Sequence, residues 1–181
     1  MAGGRIYVAL LRGINVGGTT SVAMADLRRV FVDLGLQDVT TYLRSGNVAF
    51  GSAAKPARLV ADLERAITDG LGRSVTVILR SKDELEAMAA DNPFLGQQDD
   101  PTKLHVTFLA AKPDAAHRAR LDRPAGETGE FVLADRDVFL HCPDGYGRSK
   151  LSNAFIEKRL GVAATTRNWK SVLKLRDLAG S

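Results

Sequence analysis

The chain has 181 residues, 45% hydrophobic and 25% charged, with 25 Lys and Arg against 21 Asp and Glu for a net charge of +4. Apolar residues this plentiful exclude a disordered polymer, and a chain of this length buries enough surface to fold without disulfides or a structural metal. The early apolar run Ile6 to Leu11 is far shorter than the roughly 20 residues of a membrane span. No cleavage site follows it, so no signal peptide is expected.

Residues 1–4 read as a tail. Ile6–Leu11 (IYVALL) reads as a buried strand. The glycine-rich stretch from Arg12 to Thr20 reads as a loop, and Met24, Leu27, Val30, Phe31 and Leu34 recur at helical spacing up to a left-handed cap at Gly35. Val39–Leu43 and Val48–Phe50 flank a tight turn at Arg44-Ser45-Gly46-Asn47, with positive φ expected at Gly46 or Asn47. Pro56 opens a second amphipathic helix, with Leu59, Leu63 and Ile67 on one face and Gly70 and Gly72 at its end. Val75–Leu79 is the next strand. The order βαββαβ is that of a ferredoxin-like unit.

Ser81 and Glu84 have capping-box spacing and start a short helix through Met88, which Asn92-Pro93 stops. A polar connection, residues 96–101, follows. The second half then repeats the order. Leu104–Leu109 is a strand, Pro113 to Leu121 a helix, and Phe131–Leu133 and Val138–His141 a hairpin. Leu151, Phe155 and Leu160 lie on a helix preceded by Ser149, and Val162–Thr165 is a short strand. A last helix carries Trp169, Val172, Leu175 and Leu178. The expected fold class is α+β, with two tandem ferredoxin-like halves, additional helices, and a C-terminal helix packed on the sheet. The expected boundaries are 1–80, a helix and linker over 81–103, and 104–181, with the halves forming one compact unit.

Several stretches carry a resemblance: Ala9-Leu10-Leu11-Arg12-Gly13-Ile14-Asn15-Val16-Gly17-Gly18, Met24-Ala25-Asp26-Leu27, Thr41-Tyr42-Leu43-Arg44-Ser45-Gly46-Asn47-Val48, Asn92-Pro93-Phe94, Ser149-Lys150 and Thr166-Arg167-Asn168-Trp169-Lys170. Together they resemble the bacterial family known as domain of unknown function 1697. The resemblance implies a small, soluble bacterial α/β protein with no settled activity. Members commonly carry a lysine after the double glycine, where this chain has Thr19.

The loop from Gly13 to Thr20 has the G-x-x-x-x-G spacing of a phosphate loop but lacks its lysine, and no strand ends in a magnesium-binding Asp. It reads either as a non-hydrolytic anion cradle, with Gly13, Asn15, Gly17 and Gly18 supplying backbone N–H groups, or as a tightly packed connection. Ser45 lies between strands, which is not the elbow of a hydrolase nucleophile. Arg44, Ser45 and Asn47 could still face a ligand beside Arg12. Cys142 and His141, as strand neighbours, point to opposite faces, so Cys142 reads as a small core residue. His105, His117 and His141 are isolated, and no metal-ligand spacing or cofactor motif is present, so neither metal nor cofactor is expected.

Charge is concentrated near the end. From Arg148 to Arg176 there are eight basic residues and one acid, Glu157, a net +7 that leaves −3 for the rest. Asn168 reads as an N-cap for a helix beginning at Trp169, flanked by Arg167 and Lys170. Ser149 and Lys150, after Arg148, offer a second helix start with a cation. The expectation is a phosphate-bearing partner, nucleic acid slightly preferred, contacting Arg12, Arg44, Arg148, Lys150, Arg167, Asn168 and Lys170. Tyr7, Tyr42 and Phe50 are weak substitutes for the stacking aromatics of RNA-binding sheets. The alternatives are an enzyme acting on a small phosphorylated or carboxylated metabolite and a protein-interaction module. One cysteine cannot make an internal disulfide, so the expected location is cytoplasmic.

Overall fold

A run apolar on both faces, such as IYVALL, suits a strand with neighbours on each side and cover above and below. In the computed structural model, which describes residues 4–15 and 21–181, this run is β1 (Arg5–Arg12), at the centre of a sheet. It pairs antiparallel with β3 (Asn47–Ser52), placing Ala9 opposite Val48, and with β4 (Thr76–Ser81), placing Ala9 opposite Leu79. The outer strand β2 (Gln37–Tyr42) pairs with β3, giving the order β2-β3-β1-β4. The helices α1 (Met24–Asp33) and α2 (Pro56–Leu71) bring Leu27, Phe31, Leu59, Leu63 and Ile67 into one core with Tyr7, Ala9, Leu11 and Phe50.

The second sheet has the same plan. The central strand β5 (Leu104–Leu109) pairs antiparallel with β7 (Asp137–His141) and β8 (Ala164–Asn168), and β6 (Glu130–Leu133) pairs with β7, giving β6-β7-β5-β8. Leu109, Val138, Leu140 and Ala164 pack with Ile156 and Leu160 of α5 (Asn153–Leu160). The fold is therefore mixed α+β, with two four-stranded antiparallel sheets and, among the described residues, six helices. The remaining three are α3 (Lys82–Ala90), α4 (Ala115–Arg118) and the C-terminal α6 (Trp169–Gly180). The described residues divide into two compact units, one ending at Glu86 and including Leu175–Ser181, the other Ala87–Lys174. Among the described residues, no helix is long and apolar enough to cross a membrane.

Several elements differ from expectation for local reasons. The hairpin turn has the expected positive φ at Gly46 (80°) and an unexpected one at Leu43 (59°), while Asn47 is already in β3. Gly70 stays helical, and Gly72 alone, at φ 63°, closes α2. The expected helix over 113–121 is only Ala115–Arg118, because beyond its Asp114 cap the segment has no apolar stripe to bury. Ser149 does not begin α5. Ser152 is the cap, accepting from the Phe155 N–H at 3.2 Å, and Ser149 ends a 3-10 turn, Tyr146–Arg148. The strand expected over 162–165 lies at Ala164–Asn168. The capping box of α3 is reciprocal, with the Ser81 N–H donating to Glu84 (2.7 Å) and the Glu84 N–H to the Ser81 hydroxyl (3.2 Å).

Candidate functional site

In the first unit, the residues expected near a ligand gather where β1 leaves the sheet. Asn15 takes a left-handed conformation (φ 55°), and its side chain donates to the Val22 carbonyl (3.0 Å) and the Arg44 carbonyl (2.9 Å). Its carbonyl oxygen accepts from the Val22 N–H (2.6 Å). One amide thus closes its own loop and ties that loop to the hairpin turn. Asn47 is fully buried, and its amide donates to the Tyr42 carbonyl (2.7 Å) and the Ser45 hydroxyl (3.0 Å). Arg12, Gly13 and the Arg44 side chain are exposed around this knot. Gly17 and Gly18 lie outside the described residues, as do the rest of 16–20.

The second unit holds a pocket of about 210 Å³ between residues 126–128 and the segment 142–150, lined by Glu127, Thr128, Cys142, Asp144, Arg148, Ser149 and Lys150 among others. Glu127 organises it. Its carboxylate accepts from the Gly129 N–H (2.6 Å), the Lys150 N–H and the Ser149 hydroxyl. Burial raises the Glu127 pKa, but these donors and the nearby Lys150 charge outweigh it and hold the group below its ordinary value. The Lys150 N–H therefore meets an internal anion. The Lys150 ammonium donates to the Ala125 carbonyl at 2.6 Å. The Thr128 hydroxyl donates to Asp144 at 2.6 Å. Arg148 is exposed at the pocket, and its guanidinium has no partner among the described residues.

Cys142 lines the same pocket but is buried. Desolvation pushes its thiol up, against a hydrogen bond shared with Ser149, and Glu127 adds to the rise. It is therefore a poor thiolate. Among the described residues, no group of three or more His, Cys, Asp or Glu is arranged to hold a metal ion.

At the β8–α6 junction, Asn168 caps the last helix, accepting from the Ser171 N–H at 2.9 Å. Trp169 is buried and Lys170 exposed, in the field of Asp100. Arg167 is only 8% exposed, bonded to the Thr165 hydroxyl (2.6 Å) and the Thr166 carbonyl (3.0 Å), and burial pushes its pKa down to about 10. The +7 segment is thus not one uniform patch. Arg159 pairs with Asp122 (3.5 Å) and lies over the Phe155 ring, and Arg176 pairs with Asp177 (2.8 Å). Arg148, Lys150, Lys158, Lys170 and Lys174 are its exposed cations without an ion pair among the described residues, Lys150 being held by a carbonyl instead. Of the aromatics considered for base stacking, Tyr7 and Phe50 are buried in the core, their rings 6.1 Å apart.

Sequence reasoning missed a polar strip beside the pocket. The Tyr146 hydroxyl accepts from the Asn153 N–H (2.9 Å) and shares a hydrogen bond with Thr166. Thr166 donates to the Asn153 side chain (3.0 Å) and bonds Thr107 across the sheet (2.8 Å). His105 stacks on the Tyr146 ring at 4.7 Å. The strip bolts the 3-10 turn that carries Arg148 to the sheet. Period-2 polar residues at 105 and 107 opposite 168 and 166 were the available signal, and it emerges only once the strand register is known.

His105 makes this strip acid-sensitive. Burial holds its imidazole below the ordinary 6.5, and its Nδ1 has no hydrogen-bond partner among the described residues. The unfolded chain takes up a proton near pH 6.5 and the folded chain does not, so stability falls as pH drops below that value towards the folded pKa. Urea midpoints at pH 7.5 and 5.5 should differ for the native chain and differ less for His105→Gln. An equal difference in both would assign the acid sensitivity elsewhere.

Comparison with known proteins agrees with this architecture. The conserved bacterial protein SP0830 from Streptococcus pneumoniae has a solved structure that superposes with a TM-score of 0.78 at 25% identity, covering 98% of this chain and 99% of that one. No curated protein of known function matches the chain. The model of the family described as protein of unknown function DUF1697 matches residues 5–139. With that match spanning most of its length, the chain belongs to the DUF1697 family.

Proposed function

We propose that the protein binds a small phosphate-bearing ligand in the pocket over residues 126–150. The observation that carries this reading is the Arg148 guanidinium, lining a pocket in which no acid pairs with it among the described residues. An arginine fork matches phosphate oxygens in geometry and charge. The Thr128 and Ser149 hydroxyls stand on the same walls. A volume of about 210 Å³ lies below the ~300 Å³ at which drug-sized pockets begin, which favours one phosphate group over a polymer. Both halves are read as ferredoxin-like, a reading supported by the shared order of strands, central first strand and antiparallel pairing. A cytoplasmic location is supported by the single buried thiol of Cys142.

A nucleic-acid partner is the second reading, favoured by Lys170 and Lys174, exposed one turn apart on α6. Titration of the full chain with ethyl phosphate and with single-stranded RNA separates the two. Arg148→Gln should weaken ethyl phosphate about tenfold, the loss of one charge-assisted pair. Binding of RNA alone, falling steeply with salt and indifferent to Arg148, would replace the pocket reading with the polymer one. Absence of binding by either would overturn both.

A further inference from the structure

We propose that the ligand of this pocket is a zwitterion, a small phosphate ester that also carries a protonated amine. The inference rests on the phosphate reading above and narrows it. Four charged side chains line the pocket, Glu127 and Asp144 against Arg148 and Lys150. One of each sign offsets the other, because the Lys150 charge acts on the Glu127 carboxylate. Glu127 is satisfied by the Gly129 and Lys150 N–H groups and the Ser149 hydroxyl, and the Lys150 ammonium is held by the Ala125 carbonyl.

What remains is one cation and one anion. Asp144 is exposed and accepts from Thr128 through Oδ2, and its Oδ1 has no partner among the described residues. Arg148 has none either. The two are four residues apart on one short segment, yet no ion pair joins them. Opposite charges that share a pocket without closing on each other leave both poles open to a ligand. A bare phosphate at Arg148 would feel the uncompensated Asp144 carboxylate as repulsion. An ammonium on the same ligand converts that repulsion into attraction. The pocket is small, about 210 Å³, which favours a short linker between the two groups. The Glu127 clamp and the Tyr146 bolt hold in place the walls that carry the two poles.

The test compares two probes that differ by one amine, O-phosphorylethanolamine and ethyl phosphate, by calorimetry on the full chain. The amine-bearing ester should bind about two- to fivefold tighter, the scale of one part-exposed ion pair. Asp144→Asn, which keeps an acceptor for Thr128, should bring the two affinities together, and Arg148→Gln should weaken both. Equal affinities for the two esters in the native protein would overturn the zwitterion and leave phosphate binding standing. Binding of neither ester would overturn the phosphate reading and this inference with it.

Discussion

Gly46→Ala should destabilise the protein by about 3 kcal/mol, more than any single change at the pocket. Gly46 sits at φ +80°, a conformation that costs an L side chain roughly 1–2 kcal/mol. A Cβ there would stand 2.4 Å from Ile14 Cγ2 and 3.0 Å from Leu11 Cβ. Ile14 is itself buried, and the Gly46 carbonyl accepts the Leu11 N–H at 2.8 Å. Neither neighbour can retreat without disturbing β1. Overpacking of this kind costs about 1–3 kcal/mol. At roughly 2–4 °C per kcal/mol for a chain of this size, the melting midpoint should fall by about 6–12 °C. The double variant Ile14→Ala/Gly46→Ala separates the two causes. Removing the Ile14 branch should relieve the steric share but not the φ share, so the pair should cost less than the sum of its members. A Gly46→Ala protein that melts within a degree of the native one would show that this junction is not close-packed.

The same junction explains why two sequence motifs occur together. In the stretch Leu11-Arg12-Gly13-Ile14-Asn15, Ile14 packs on Gly46 and Asn15 grips the Arg44 carbonyl, while Asn47 ties the turn to Tyr42. Asn15 and Asn47, both expected near a ligand, carry backbone hydrogen bonds over 5 to 29 positions of sequence. Periodicity made the sheets and most helices legible, because strands and amphipathic helices advertise their buried face every two or three to four residues. Capping was legible for the same local reason at Ser81–Glu84 and at Asn168. Partnership across the chain was not. Glu127 lies in an irregular loop with no periodic signal, and its role depends on Ser149 and Lys150 more than 20 residues on. Net charge alone likewise does not show which cations face outward. Arg167 counts towards the +7 segment but lies on the strand β8, where alternation turns it inward beside Thr165.

Glu127→Ala should cost about 2 kcal/mol and weaken phosphate binding as well. Its carboxylate is the acceptor for the Gly129 N–H, the Lys150 N–H and the Ser149 hydroxyl. Hydrogen bonds to a charged group contribute about 1.5–3 kcal/mol each when buried, and partial exposure of this loop lets water replace much of that. Without the clamp, the segments 126–129 and 148–150 separate, and Arg148 loses its fixed position. The pH dependence distinguishes this role from simple charge removal. The Glu127 pKa lies below its ordinary 4.5 in the folded state. Its contribution is therefore complete above about pH 4.5 and is lost as pH falls through the folded value. The native chain should lose stability over that acid range, and Glu127→Ala should lose less. Glu127→Gln should be intermediate in stability, because the amide can still accept one of the three bonds. It should bind ethyl phosphate at least as well as the native chain, because a negative charge has left the pocket wall. If Glu127→Gln instead weakened ethyl phosphate as much as Arg148→Gln does, the carboxylate would be contacting the ligand directly and would no longer be a clamp.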